Sequence, residues 1–264
     1  MDPLPALAAA PEEFAALLRR QGLYPERTGL SAASMTQPAF TPTHGTTILA
    51  FKFADGVLVA GDRRATAGNL LVYDRADKVL EIDKHSLMAI AGVPATAWEM
   101  ARVLEHSFQF YRRSQLAEMS LDGKVRALSK LLRDNLGYVL QGVGVVVPIF
   151  ATFEAGAPRL YFYDAMGAQF EAADYAATGS GSAAVRSVLH YENTWGPREL
   201  RKLKASDAIL LALRALETAA SSDTATGGVD RRADVFPIVK LITASGIATL
   251  PDSRLAKIFK AKLV

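Results

Sequence analysis

The 264 residues are 50% hydrophobic and 22% charged, the balance of a chain with a sizeable packed core, which excludes disorder along its whole length. Thirty Lys and Arg against 27 Asp and Glu leave a net charge of +3 with the basic residues scattered, so the pI near 9.1 is no nucleic-acid footprint and no nucleic-acid partner is expected. Without cysteine there is no thiol nucleophile, disulfide or thiolate metal site, and His44, His85, His106 and His190 share no zinc-binding spacing, so no metal is expected.

Residues 1 to 45 stand apart. They hold six prolines and a net charge of -1. One helical pattern opens on Pro11, Glu12 and Glu13, closes on Arg19 and Arg20 and stops at Gly22. A linker rich in Ser, Thr and Pro follows, and the segment lacks the basic start and apolar run of a secretory signal. From Thr46 the pattern is of strands: Thr46 to Phe53 and Val57 to Ala60 around Ala54-Asp55-Gly56, then Lys78 to Ile82 and Ser86 to Ala91 around Asp83-Lys84-His85. The period then changes to three and four through Trp98, Ala101, Leu104, Phe108 and Tyr111, and again through Leu121, Val125, Leu128, Leu132 and Leu136, which predicts two amphipathic helices.

The order repeats in the second half. Val145 to Phe153 and Arg159 to Asp164 read as a hairpin, Asp174 to Thr178 as a further strand, and Ser182 to His190 and Asp207 to Ala219 as helices. Phe236 to Ala244 and Ile247 to Leu250 read as a last hairpin around Ser245-Gly246, before a short helix from Pro251. The best uncharged stretch, Asn135 to Phe153, is broken by Gly137, Gln141, Gly142, Gly144 and Pro148, so no membrane association is expected. Strands, two helices, strands, two helices and strands predict an α+β fold in which two sheets pack face to face with helices on both outer surfaces, an αββα sandwich formed by one domain, residues 46–264.

Chemistry is concentrated where the leader meets the first strand, at His44-Gly45-Thr46-Thr47. A threonine hydroxyl is a weak nucleophile unless a base stands beside it. If the bond between Gly45 and Thr46 is cut, Thr46 gains an α-amine with a reference pKa of about 7.7 to 8, suited to general base work, and one residue then supplies both groups. Glycine before it allows the hydroxyl to approach the preceding carbonyl. The alternative is that Thr46 and Thr47 simply begin a strand. Asp62 in Gly61-Asp62-Arg63-Arg64 and Lys78 stand at the end and start of neighbouring strands, where they can pair, and the ammonium can lower a nearby amine's pKa and stabilise an alkoxide. Taken alone, Lys78 reads as a solvated surface lysine.

Gly45-Thr46-Thr47, Ala60-Gly61-Asp62-Arg63-Arg64, Lys78-Val79, Ile90-Ala91-Gly92, Gly179-Ser180-Gly181-Ser182 and Ser222-Asp223-Thr224-Ala225-Thr226-Gly227-Gly228 together resemble the β-subunits of bacterial and archaeal 20S proteasomes. The Gly-Ser-Gly-Ser run alone would pass for an incomplete dinucleotide loop. The resemblance implies the N-terminal-nucleophile hydrolase fold and a threonine endopeptidase whose propeptide, residues 1–45, is removed autocatalytically. It implies Thr46 as nucleophile, Asp62 and Lys78 as the charged pair beside it, the Gly92 N–H as oxyanion donor, and Ser180, Asp223 and Thr226 as the group orienting the threonine amine. Thr226 stands where the family more often has serine. The resemblance also implies that substrate lies extended between the segments of Thr66 and the residues after Gly92, where Pro94 removes one N–H. It lines the pocket before the cut with Ala65, Ala76, Leu80, Ile90 and Trp98, which favours hydrophobic residues, although Ile90 and Trp98 read equally as core.

The implied partners are α-subunits, further copies in seven-membered rings, an ATPase unfoldase and unfolded polypeptides, in the cytoplasm, with no cofactor. Three alternatives stand beside this reading: a non-catalytic structural ring subunit, the related ATP-dependent peptidase of six-membered rings, and a small-molecule amidase of the same class.

Overall fold

A computed structural model describes residues 45–67 and 70–261, with residues 16, 17 and 20 before them. These last three are helical, and the rest of the leader, including the helix expected from Pro11 and the linker after it, lies outside the described residues. Strands β1 (Thr47–Phe53), β2 (Gly56–Gly61), β10 (Tyr175–Gly179), β11 (Ile238–Thr243) and β12 (Gly246–Thr249) form one antiparallel sheet in the order β10-β1-β2-β11-β12. Strands β5 (Val79–Asp83), β6 (Ser86–Ala89), β7 (Ile149–Glu154), β8 (Ala157–Tyr163) and β9 (Gln169–Glu171) form the second, paired in sequence order. Helices α1 (Pro94–Gln115), α2 (Leu121–Asp134) and α3 (Leu136–Leu140) follow β6, and α4 (Ser182–Trp195), α5 (Ala205–Ala220) and α6 (Asp252–Ala261) belong to the first sheet.

Strand alternation makes the layers. On β1, Ile48 and Ala50 pack with Val79, Leu87, Ala89, Ile149 and Ala151 of the second sheet, while Leu49, Phe51 and Phe53 pack with Val185, Leu189, Leu213 and Leu216 of α4 and α5. On the far side, Met88, Ile90, Phe150 and Tyr163 meet Leu104, Phe108, Leu128 and Leu132 of α1 and α2. Three apolar seams therefore join four layers, the expected αββα sandwich. Because β1 has an apolar neighbour on both faces, all seven of its residues are buried.

The element boundaries depart from expectation where the backbone has a specific reason. Residues 145 to 148 lie outside β7: Pro148 lacks a ladder donor, and pairing there shrinks to a bridge between Gly92 and Val146. The helix expected through Leu136 breaks at Asn135, whose buried amide donates to Gly144 O at 2.6 Å and draws the following loop back against the helix end. The two-stranded sheet of β3 (Ala65–Ala67) and β4 (Leu70–Tyr73), strand β9 and α3 had not been expected. Lys78 stands one residue before β5 rather than within it.

Candidate active site

The site grows from the open end of β1. Its neighbours there are β2, which pairs Ile48 with Gly61, and β10, which pairs Thr47 with Gly179. Continuing the β2 register puts Asp62 opposite Thr47, and the two exchange hydrogen bonds: Asp62 N donates to Thr47 O at 3.0 Å and Thr47 N to Asp62 Oδ1 at 2.8 Å. On the other side Ser180 N donates to Thr46 O at 3.0 Å. Gly179 adopts φ +99°, and a Cβ there would lie 1.8 Å from Thr46 O, so glycine is required by the close passage of this carbonyl. The Gly-Ser-Gly-Ser run thus grips the backbone of Thr46, which replaces its reading as a dinucleotide loop.

The expected ion pair is present. Lys78 Nζ lies 2.8 Å from Asp62 Oδ1, with both residues buried. Nζ also donates to Arg64 O and, at 3.3 Å, to Gly45 O, and this buried position replaces the reading of a solvated lysine. Asp62 is saturated, because Oδ2 accepts from Arg64 N at 2.9 Å and Gly227 N at 3.0 Å. Buried polar atoms are stable only when paired in this way. Burial pushes the Lys78 ammonium below the ordinary lysine value, against the opposing pull of Asp62. Thr46 Oγ1 donates to Gly45 O at 2.7 Å, so this one carbonyl oxygen receives both the hydroxyl and the ammonium.

Gly45 has no room for a side chain: a Cβ would lie 2.3 Å from Thr66 Oγ1 and 2.7 Å from Ala225 Cβ. Thr66, on β3, therefore stands against the peptide that precedes Thr46. Gly92 follows β6, where Ile90 N donates to Lys78 O at 2.9 Å and keeps this segment beside the lysine. Gly92 faces Val146 in a bridge whose hydrogen bonds are made by its neighbours, Val93 N to Val145 O and Val147 N to Ala91 O. That pattern turns the N–H of Gly92 itself away from Val146. Its φ of +110° and a Cβ position 2.1 Å from Val145 O leave only glycine able to occupy it.

Ser180, Asp223 and Thr226 form a second network. Asp223 Oδ2 accepts from Ser180 Oγ at 2.6 Å and from Thr226 Oγ1. Partial burial works to raise the Asp223 carboxyl, but these two hydroxyls, the Ala225 amide and the Arg64 charge prevail and lower its pKa. The network ends on Thr47, not on Thr46: Thr226 Oγ1 lies 2.6 Å from Thr47 Oγ1, which also accepts from Gly181 N at 2.8 Å. Thr47 thus joins the two groups, because its N–H holds Asp62 while its hydroxyl holds Thr226. Sequence reasoning missed it, although its place beside Thr46 in a buried strand was the signal.

Both arginines of the Gly61-Asp62-Arg63-Arg64 run are structural ties. Arg63 donates to Phe236 O at 2.7 Å and pairs with Asp252 at 3.0 Å, while Arg64 Nη1 donates to Thr224 O at 2.8 Å. The expected pocket residues come from several elements. Ala65 opens β3, Ala76 N donates to Arg63 O at 3.0 Å, and Ile90 is buried in the seam beneath α1, with Leu80 beside it. Ile90 is therefore a core residue. Trp98 is not, being 44% exposed on α1 with its ring N–H directed 3.4 Å from Asp77 O. Pro94 occupies the first position of α1, after Val93.

A family model described as "Proteasome subunit" matches residues 42–233. The chain is 40% identical to "Proteasome subunit beta 2" of Thermomonospora curvata over 81% of its own length and 75% of that relative. It is 36% identical to "Proteasome subunit beta" of Stackebrandtia nassauensis over 98% of its length and 92% of the relative, and 37% identical to the protein of that name from Acidimicrobium ferrooxidans over 93% and 87%.

Proposed function

The chain belongs to the proteasome subunit family and is a β-subunit of the 20S proteasome, a peptidase, and on that premise we propose that it is a threonine endopeptidase made as a precursor and activated by cleavage between Gly45 and Thr46. The observation that carries this reading is the buried Lys78 ammonium shared by Asp62 and the carbonyl of Gly45, with the Thr46 hydroxyl on the same carbonyl oxygen. A lysine so placed polarises the carbonyl and stabilises negative charge that develops on its oxygen.

In the precursor, Thr46 Oγ1 adds to the Gly45 carbonyl carbon, the C–N bond to Thr46 breaks, and the freed amine takes the hydroxyl proton. The resulting ester is hydrolysed by water, which releases residues 1–45. Thr46 is 4% exposed while that bond is intact, so release of the leader is also what opens the nucleophile to substrate. In the mature enzyme the α-amine of Thr46 accepts the proton from Oγ1, directly or through water, as the oxygen adds to a peptide carbonyl. The Gly92 N–H receives the oxyanion, the proton passes to the leaving amine, and water then cleaves the acyl-enzyme. Ser180, Asp223 and Thr226 hold the neighbouring Thr47 and the water beside the amine. The substrate lies along Thr66 and the segment after Gly92, with Ala65, Ala76, Leu80 and Trp98 bordering an apolar pocket and Ile90 backing it from the core. The chain works in the cytoplasm in seven-membered rings with α-subunits and an ATPase unfoldase, on unfolded polypeptides.

The test is the N-terminus and activity of the particle assembled with its α-partner. Thr46 is expected as the first residue of the wild type, whereas Thr46→Ala keeps its leader and hydrolyses no fluorogenic hydrophobic peptide. Full hydrolysis by Thr46→Ala, or by particles in which every copy starts at Met1, overturns the proposal and leaves a structural ring subunit or another nucleophile.

A further inference from the structure

At the end of β1 away from Thr46, the row of side chains that enters the seam between the sheets changes character. Ile48 and Ala50 are apolar, and the next in the row is Lys52. It stands six positions along the chain from Thr46, about 20 Å at ~3.3 Å per residue. Lys52 is 7% exposed, and among the described residues its Nζ has neither a hydrogen bond nor an ion pair. It borders a cavity of about 620 Å³, whose other charged walls are Arg159, Glu171 and Arg201. The two carboxylates nearby are already engaged. Arg159 Nη1 donates to Glu171 at 2.8 Å, and Arg201 pairs with Asp174 while donating to Ala173 O at 2.7 Å. Three cations therefore face two anions, and the cation left over is the most buried of the three. Burial and the Arg201 charge push its pKa below the ordinary lysine value, against the opposing pull of Glu171 and Asp174.

We propose that this cavity binds a phosphate-type oxyanion, with Lys52 Nζ as the central donor and the remaining N–H groups of Arg159 and Arg201 at its rim. The Lys52 stem is buried while its unpaired ammonium opens on the cavity, where an anion entering from solvent gains a charge-assisted hydrogen bond. Glu171 and Asp174 are hydrogen-bonded to the two arginines, which leaves the ammonium free for an anion from solution. A compact ammonium flanked by guanidinium forks suits a tetrahedral oxyanion, which offers several acceptors at once. The volume exceeds that of a bare ion and lies within the range of small-molecule sites, so a phosphomonoester is accommodated as well as free phosphate.

The site is independent of the Thr46 chemistry, and so is its test. Thermal unfolding of the full-length protein is followed as inorganic phosphate replaces chloride at constant ionic strength, and again with glycerol phosphate. The transition temperature of the wild type is expected to rise with phosphate, and whichever probe acts at lower concentration identifies the form bound. Lys52→Met, which exchanges an unpaired charge for a similar apolar chain, is expected to weaken the apparent affinity at least ~10-fold, the loss of one charge-assisted hydrogen bond. Arg159→Gln, on the exposed rim, is expected to weaken it less and serves if the first variant does not fold. No rise beyond that in chloride, or an equal rise in both variants, overturns the site.

Discussion

Gly45 shows how much of the proposed chemistry depends on one missing methyl group. Its Cα lies between the Thr66 hydroxyl and Ala225, at distances where any Cβ displaces one of them. Overpacking of this kind costs ~1 to 3 kcal/mol, and if the strain falls on the cleavage step the rate drops roughly 5- to 150-fold. Gly45→Ala is therefore expected to slow leader removal by that factor in a time course of intact mass, and Gly45→Ala with Thr66→Ala to recover part of it, because the nearest contact is removed. An unchanged rate in the single variant would mean that Thr66 and Ala225 move freely aside. The polar centre at Thr46, Asp62 and Lys78 was legible in the sequence because charged residues at the end of one strand and the start of another need partners, although β2 and β5 lie in different sheets and meet across the seam between them. Thr47 was not legible, since a threonine in a strand is ordinary there and its two roles arise only when β2, β10 and the turn after α5 converge on it. Nor was the orphan charge of Lys52, which alternation places in the seam but whose lack of a partner depends on how Arg159 and Arg201 are spent.

At the scale of elements, strong periodicity carried the prediction and weak or interrupted patterns defeated it. The long strands and helices of the four layers were expected because each has an apolar row facing a seam. Three-residue strands such as β3 and β9 are too short to show a period, and both were missed. The break at Asn135 depends on a side-chain bond to Gly144 that no local pattern announces. Pro94 was noted as the loss of a substrate-binding N–H, and the structure explains why the fold accepts it: at the first position of α1 an N–H would have no partner within the helix, and proline's fixed φ suits a helix start. Pro94→Ala is accordingly expected to cost little, about 0.4 to 1 kcal/mol through the unfolded chain. It restores a donor facing the proposed substrate strand, and a neutral hydrogen bond of ~0.5 to 1.5 kcal/mol predicts a KM roughly 2- to 10-fold lower for hydrophobic peptides with kcat little changed. A KM equal to that of the wild type would show that the substrate backbone makes no bond at this position.

Among the described residues the three seams are thoroughly buried, while one strand made wholly of large apolar residues stays uncovered. Leu70, Leu71, Val72 and Tyr73 of β4 are between 51% and 69% exposed. Successive residues of a strand point to opposite faces, so neither face of the small β3–β4 sheet is covered by the rest of the chain on the β4 side. A two-stranded hairpin is marginal in water without packing, and an apolar edge strand left open invites association. If the chain assembles into rings as proposed, the natural cover is a second copy of it, and the hairpin also carries Thr66, which stands against Gly45. Subunit contact and the Thr46 site would then share one element, so that activation follows assembly. Leu71→Lys and Val72→Lys place a charge on opposite faces of β4. Each is expected to leave the monomer folded by circular dichroism while shifting the mass distribution from rings to single subunits, and to retain the leader in proportion to the rings lost. Intact rings in both variants would assign the cover to another partner, and lost rings with complete leader removal would separate processing from assembly.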